Sequence, residues 1–149
     1  MTVTVDFRDQ GFHVCVSGHL DRATNREMII RAWHDPHWDE AKYAIVDLRA
    51  VTSVDLTESD MVVQASMANA GSLSTMKTRT ATVHACPEIG RLCEVYNAHL
   101  QQDLCEARSF EDYQMAVNWA RGTASSRAKP RFRGPRWPEG AHRQAANGK

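Results

Sequence analysis

The sequence predicts an α/β fold, in which an N-terminal hairpin and parallel strands form a mixed five-stranded sheet with four covering helices. Three patterns predict it. Two alternating segments flank a turn at residues 9–11, an unbroken apolar run occupies residues 43–48, and residues 89–100 carry an apolar stripe of helical period. These patterns are typical of an antiparallel hairpin, of a strand covered on both faces and of a helix packed on one side.

The hairpin and the first helix come first in the chain. Residues 3–7 and 12–16 alternate apolar and polar side chains, as half-buried strands do. A helix is expected to start within residues 21–24, where Thr24 opens a Thr-x-x-Glu capping box. It should stop before Pro36, because a residue that precedes proline is biased away from helical geometry.

The remaining elements follow from the same kinds of pattern. They are a strand at 43–48, a helix from Thr57 to Gly71, a strand at 79–85, a helix from Pro87, a strand at 104–108, and a helix capped by residues 109–112 that ends before Gly122. Strands separated by helices pair in parallel through right-handed crossovers, whereas the hairpin strands are antiparallel. The predicted order is therefore β-β-α-β-α-β-α-β-α.

Length and charge divide the chain into one domain and a basic tail. The 149 residues, 42% hydrophobic, suit one domain at residues 1–121 followed by a tail at residues 122–149. The domain carries 11 Lys and Arg against 17 Asp and Glu, and the tail carries 7 against 1. Because the tail holds few apolar residues, we expect it to be disordered.

Two interpretations of the tail stay open. It is either a solvated end that offsets the charge of the domain, or an arm that binds an anionic partner such as nucleic acid or a lipid surface. The side chains that would contact such a partner are Arg127, Lys129, Arg131, Arg133 and Arg136.

Compartment and redox state are predicted from what the sequence lacks. The start of the chain does not resemble a secretory leader, and no stretch approaches the ~20 apolar residues of a membrane span. The four cysteines show no Cys-x-x-Cys spacing, which favours reduced apolar side chains over a disulfide framework or a zinc site. We therefore expect a cytoplasmic protein.

Catalytic and metal-binding patterns are weak. The sequence has no Gly-x-Ser-x-Gly elbow, no phosphate-binding loop and no Gly-x-Gly-x-x-Gly motif, so we predict a protein that is not an enzyme and needs no cofactor. Residues 34–40 contain two histidines and three carboxylates, which are metal-binding residue types. They lie around Pro36 without the one-face spacing of converging ligands, so no metal site is predicted.

Two segments and the order of elements carry a family resemblance. Residues 45–55, Ile-Val-Asp-Leu-Arg-Ala-Val-Thr-Ser-Val-Asp, precede the second helix, and residues 109–119, Ser-Phe-Glu-Asp-Tyr-Gln-Met-Ala-Val-Asn-Trp, close the domain. With them, residues 1–121 resemble the SpoIIAA-like branch of the STAS superfamily. The resemblance implies a small sheet-and-helix module with a non-enzymatic regulatory or protein-interaction function. It does not extend to the tail.

The resemblance places the interaction in the loop before the second helix. Anti-sigma-factor antagonists of that superfamily bind a partner kinase there and are switched by phosphorylation of a Ser or Thr in a loop that reads Asp-Ser-Ser-Gly. Here the loop reads Asp55-Leu56-Thr57-Glu58. The resemblance therefore implies an interaction loop of Asp55, Leu56 and Glu58, with Thr57 and the nearby Ser53 as phosphate-acceptor candidates.

Charge near Thr57 allows two interpretations of that residue. A phosphate on Thr57 would lie at a helix N-terminus, which favours negative charge, but beside Asp55, Glu58 and Asp60, which oppose it. The alternative is that Thr57 only caps the helix, with its hydroxyl bound to a free backbone N–H.

A second function class is also open. Helices that cover a sheet can leave a pocket, here between Trp33, Met61 and Met67, that would bind a small apolar or lipid-like ligand. The other interpretation of these side chains is ordinary core packing. The identity of a partner or ligand and the oligomeric state are left open.

Overall fold

The structure, a computed structural model, describes residues 1–73 and 78–122. The strands within these residues are β1 (Thr2–Arg8), β2 (Gly11–Asp21), β3 (Tyr43–Asp55), β4 (Thr78–Val83) and β5 (Cys105–Phe110). The helices are α1 (Arg22–Trp33), α2 (Glu58–Gly71), α3 (Pro87–Ala98) and α4 (Tyr113–Arg121), with a short 3-10 helix (Trp38–Glu40) before β3. The predicted order of elements is confirmed. The tail beyond Gly122 lies outside the described residues.

The strands form one mixed sheet in the order β1-β2-β3-β4-β5. β1 pairs antiparallel with β2 across the turn residues Asp9 and Gln10, which have φ of 52° and 64°. Two positive φ values suit a type I′ turn, whose twist matches that of the flanking strands. The other strand pairs are parallel. The predicted mixed five-stranded sheet is therefore confirmed.

The helices divide unequally between the two faces of the sheet. Each helical connection moves one strand in the same direction along the sheet, so right-handed crossovers place α1, α2 and α3 on one face. Their core includes Phe12, Met28, Met61 and Leu92. α4 packs on the other face, where its fully buried Ala116 and Ala120 meet strand residues such as Ile45 and Val83.

β2 and β3 run further than the sequence predicts. β2 ends at Asp21 rather than residue 16, and β3 ends at Asp55 rather than residue 48. Their outer parts pair with irregular register, and Arg49 and Ser53 of β3 are exposed, so this part of the strand shows no apolar run. The predicted end of this strand at residue 48 is therefore wrong, and only Leu56 and Thr57 connect β3 to α2.

α1 starts within the predicted residues 21–24, but its cap and the boundary between β5 and α4 differ from the prediction. The N-cap of α1 is Asp21, which accepts a hydrogen bond from the Thr24 backbone N–H at 2.8 Å. Thr24 is 1% exposed, and its hydroxyl donates to Asp21, so the predicted capping box at Thr24 is wrong. At α4, Asp112 caps the helix, whereas Ser109 and Phe110 belong to β5.

None of the helices in residues 1–73 and 78–122 has both the length and the apolar character that a membrane span requires. The four cysteines carry free thiols. Cys93 and Cys105 are buried and Cys86 is half-buried, whereas Cys15 is exposed on β2.

Candidate functional site

The predicted interaction loop lies where two helices begin side by side. β2 and β3 end at paired residues, Asp21 and Asp55. α1 starts directly after Asp21, and α2 starts three residues after Asp55, with Thr57 as its N-cap. Binding sites of parallel α/β sheets usually lie at this carboxyl end of the strands.

Thr57 is engaged in the cap of α2. Its hydroxyl oxygen accepts a hydrogen bond from the Asp60 backbone N–H at 3.2 Å, and the Asp60 carboxylate accepts from the Thr57 backbone N–H at 2.9 Å. The hydroxyl also donates to Asp60 Oδ2 at 2.8 Å. The two bonds that the Asp60 carboxylate accepts from Thr57, with a further one from Arg22, lower the pKa of Asp60 to about 2. Thr57 therefore forms the capping box that its spacing predicts.

Two ion pairs connect the start of α2 to the neighbouring helices. Arg22 Nε of α1 lies 2.8 Å from Asp60 Oδ1, and Arg91 of α3 pairs with Glu58. Both arginines are therefore already engaged with carboxylates. A phosphate on Thr57 would compete with those carboxylates for the same cations.

Ser53 lies within β3, apart from the loop. It pairs with His19 of β2, and its Oγ is 2.8 Å from His19 Nδ1. Both side chains are exposed. The two phosphate-acceptor candidates therefore have different surroundings, because Ser53 contacts an imidazole and Thr57 contacts a carboxylate.

Leu56 does not share the surface of the other loop residues. It is 9% exposed and belongs to the core between the sheet and α1–α3. Asp55, Thr57 and Glu58 are exposed. The structure therefore brings these three residues together at the surface and places Leu56 beneath them.

An exposed apolar surface on α2 is not among the sites predicted from the sequence. Val63 is 60% exposed and Met67 is 37% exposed, Ala70 is also exposed, and Leu73, just after the helix, is 71% exposed. We call these four residues the α2 face. The sequence contains a signal for it, since no charged residue occurs between Asp60 and Lys77. A helix that is apolar on its inner and outer sides is typical of one that is covered by a partner.

A cavity of about 130 Å³ lies on the inner side of α2. Its lining residues come from the sheet and from all three helices of that face, and they include Phe12, Trp33, Val46, Met67, Ala68 and Tyr96. Two of the three predicted pocket residues, Trp33 and Met67, are therefore in its wall. Met61 lines a separate cavity of about 70 Å³ nearer the loop.

The histidine- and carboxylate-rich segment forms local contacts. His37 Nδ1 lies 2.9 Å from Asp35 Oδ1, and Asp35 also accepts from the His37 backbone N–H, which lowers the pKa of Asp35. In the part of the chain that the structure describes, no group of three or more His, Cys, Asp or Glu side chains is arranged to hold a metal ion. The basic residues predicted to contact an anionic partner lie outside that part.

Comparison with known proteins identifies the fold. No family model and no curated protein matches the chain. The solved structures that match include two with a TM-score of 0.50. One is an uncharacterized protein of the DUF3478 family with a SpoIIAA-like fold from Shewanella loihica PV-4, at 14% identity over 80% of this chain and 92% of that one. The other is the anti-sigma factor antagonist SpoIIAA in its unphosphorylated form, at 13% identity over 81% and 99%. The chain therefore has the SpoIIAA-like fold that its sequence predicts.

Proposed function

We propose that the chain is a non-enzymatic regulatory module of the STAS/SpoIIAA-like type that binds a protein partner through the α2 face and the adjoining loop. The observation that carries the proposal is the uncharged outer side of α2, where Val63 and Met67 are exposed. Covering these side chains would remove apolar surface from water, which is the main favourable term in most protein associations. SpoIIAA, an anti-sigma factor antagonist, gives a precedent for a regulator with this fold.

The surroundings of the α2 face support an interface. Interfaces commonly combine an apolar centre with a polar rim. Val63 and Met67 would form the centre, and the exposed Asp55, with the Glu58–Arg91 ion pair, would lie at one end of the rim. The exposed loop residues therefore adjoin the apolar surface rather than a closed pocket.

A non-enzymatic function fits the chemistry of the described side chains. The Thr57 hydroxyl and the Asp60 carboxylate bind each other in a helix cap. Burial raises the pKa of the Cys93 thiol to about 11, so this cysteine is not a thiolate near neutral pH. These groups are therefore engaged in structure rather than prepared for reaction.

Charging the α2 face should abolish partner capture. The variant Val63→Lys/Met67→Lys places two solvated ammonium groups where an apolar partner surface would bind, so we expect recovery of the partner to fall at least about tenfold. The measurement is affinity capture from cells of the native organism, quantified by mass spectrometry. Val63 is exposed, and a lysine at position 67 can extend its ammonium group to solvent, so the variant should stay folded, with a lower unfolding temperature because Met67 also lines the cavity.

The matched control for that variant is Met115→Lys. Met115 is 62% exposed on α4, on the opposite side of the sheet. A protein that is retained by the parent and by Met115→Lys, and lost with the double variant, would be the expected partner. Equal recovery with all three chains would contradict the proposed interface.

If the module is switched by phosphate, Ser53 is the better acceptor of the two candidates. A phosphate there would meet His19, which can pair with it when protonated, whereas a phosphate on Thr57 would break the capping box. Phosphopeptide mapping of the protein from its own cells should therefore find phosphate on Ser53 and none on Thr57. The variant Ser53→Ala is the control. Phosphate on Thr57 alone, or on neither residue, would contradict this assignment.

The cavity favours a second candidate function, the binding of a small apolar or lipid-like ligand. Its volume of about 130 Å³ is close to the ~150 Å³ at which a dry apolar cavity accepts benzene. Met67 lines the cavity and is also partly exposed, so the space adjoins the surface between α1 and α2. Native mass spectrometry of the purified chain would detect a small molecule that co-purifies with it.

A further inference from the structure

The layer of helices that carries the α2 face is acidic. The three helices of this layer, with Asp21 and Asp55 before them, contain seven carboxylates and four arginines. The carboxylates are Asp21, Glu27, Asp55, Glu58, Asp60, Glu88 and Glu94, and the arginines are Arg22, Arg26, Arg31 and Arg91. The layer therefore has an excess of negative charge beside an apolar surface.

Most of the arginines in this layer are already paired. Arg22 pairs with Asp60, Arg31 with Glu27 and Arg91 with Glu58. Among the residues that the structure describes, the exposed carboxylates of Asp55, at the loop, and of Glu88 and Glu94, on α3, form no ion pair. An occupant of the α2 face would therefore gain from carrying positive charge.

The chain itself contains a segment of matching chemistry. Residues 123–149 carry seven Lys and Arg and one Glu, and their only large apolar residues are Phe132 and Trp137. Arg131 and Arg133 flank Phe132, and Arg136 precedes Trp137. Two aromatic side chains among arginines complement an apolar surface bordered by carboxylates.

The tail also begins at a suitable place. Arg79 of β4 donates to the Gly122 carbonyl, and α2 ends at Gly71, shortly before β4 starts at Thr78. Gly122 and the last turn of α2 therefore lie at the same end of the sheet, although α4 and α2 cover opposite faces of it. The ten residues from Gly122 to Phe132 span up to about 35 Å when extended, enough to pass the end of the sheet with a helix of about 10 Å diameter on each face.

We propose that residues 127–137 of this chain dock on the α2 face of the same molecule. Phe132 and Trp137 cover Val63 and Met67, and the neighbouring arginines face the exposed carboxylates of the loop and α3. The tail then competes with a protein partner for the surface, which makes it an autoinhibitory segment. This consequence rests on the proposed function, whereas the docking itself can be measured without a partner.

The test is methyl NMR of the full chain labelled with ¹³C at its methionine methyl groups. The aromatic rings should shift the Met67 signal, so Phe132→Ala/Trp137→Ala should move that signal in the full chain. The Met115 signal, from the exposed face of α4, should stay in place. About 1 M salt, which shortens the Debye length to ~3 Å, should move the Met67 signal of the parent in the same direction.

The matched control is Arg143→Ala, a tail substitution outside the docking segment, which should leave both signals unchanged. A Met67 signal that is identical in the parent and the double variant would overturn the proposal. A Met67 shift that depends on protein concentration would also overturn it, because the occupant would then come from a second copy. No partner is present in this sample, so failure here is distinct from failure of partner capture.

Discussion

Replacing Leu56 by serine, the residue type of the switchable SpoIIAA-like loop, should lower the free energy of unfolding by about 2–5 kcal/mol. Leu56 is only 9% exposed and packs in the core between the sheet and α1–α3, where it lines the smaller cavity with Met61 and Ile89. The substitution removes most of a buried apolar side chain and buries a hydroxyl group in its place, and both changes lower stability. Chemical denaturation of the parent and of Leu56→Ser measures the difference.

The control is Glu58→Gly, which introduces the glycine of the same Asp-Ser-Ser-Gly loop pattern. In contrast to Leu56, Glu58 is exposed in the first turn of α2, and its ion pair with Arg91 is at the surface. We expect the free energy of unfolding of this variant to fall by about 1 kcal/mol, because a helical glycine costs about that much and an exposed ion pair adds little. Equal losses in the two variants would contradict a core role for Leu56.

The elements with strong local signals are the ones that sequence reasoning predicts well. The stripe at Ile89, Leu92 and Cys93 is buried within α3, and the Thr57 capping box begins α2 as its spacing requires. Pro36 follows the end of α1, and Asp9 and Gln10 form the hairpin turn. In each case, a local pattern or a backbone restriction decides the structure without help from distant contacts.

Predictions fail where strand pairing or exposure decides the outcome. The outer part of β3 is held by pairing with β2, although several of its residues are exposed and show no apolar alternation. Thr24 has the spacing of a cap, yet β2 continues to Asp21, so the helix begins earlier and Thr24 becomes a core residue. Tertiary pairing overrides local propensity at both places.

For the residues of the proposed interaction loop, the sequence indicates their position but not their burial. Sequence spacing places Asp55, Thr57 and Glu58 at the start of α2, and all three are exposed there in the structure. The sequence does not predict that Leu56 points inward, because one apolar residue in a short loop has no periodicity. The sequence does contain a signal for the α2 face, because no charged residue follows Asp60 along the helix. Without knowledge of exposure, however, apolar residues on both sides of a helix are interpreted as ordinary core residues.

Filling the larger cavity should separate ligand binding from protein binding. Ala68 lies in the cavity wall on the inner side of α2. Ala68→Leu adds an isopropyl group that extends into that space. We therefore expect the free energy of unfolding to rise by about 0.5–2 kcal/mol, as is common for cavity-filling substitutions. Any small molecule that co-purifies with the parent should be lost at least about tenfold in native mass spectra, because its volume is occupied.

Ala70→Leu is the matched control for that experiment, since Ala70 is exposed on the same helix and its side chain adjoins solvent rather than the cavity. It should retain the co-purifying molecule. Retention of the molecule by Ala68→Leu would contradict binding in this cavity. Because Ala68 is not part of the α2 face, Ala68→Leu should still capture the protein partner, so that loss of ligand with retention of partner would assign the two activities to opposite sides of α2.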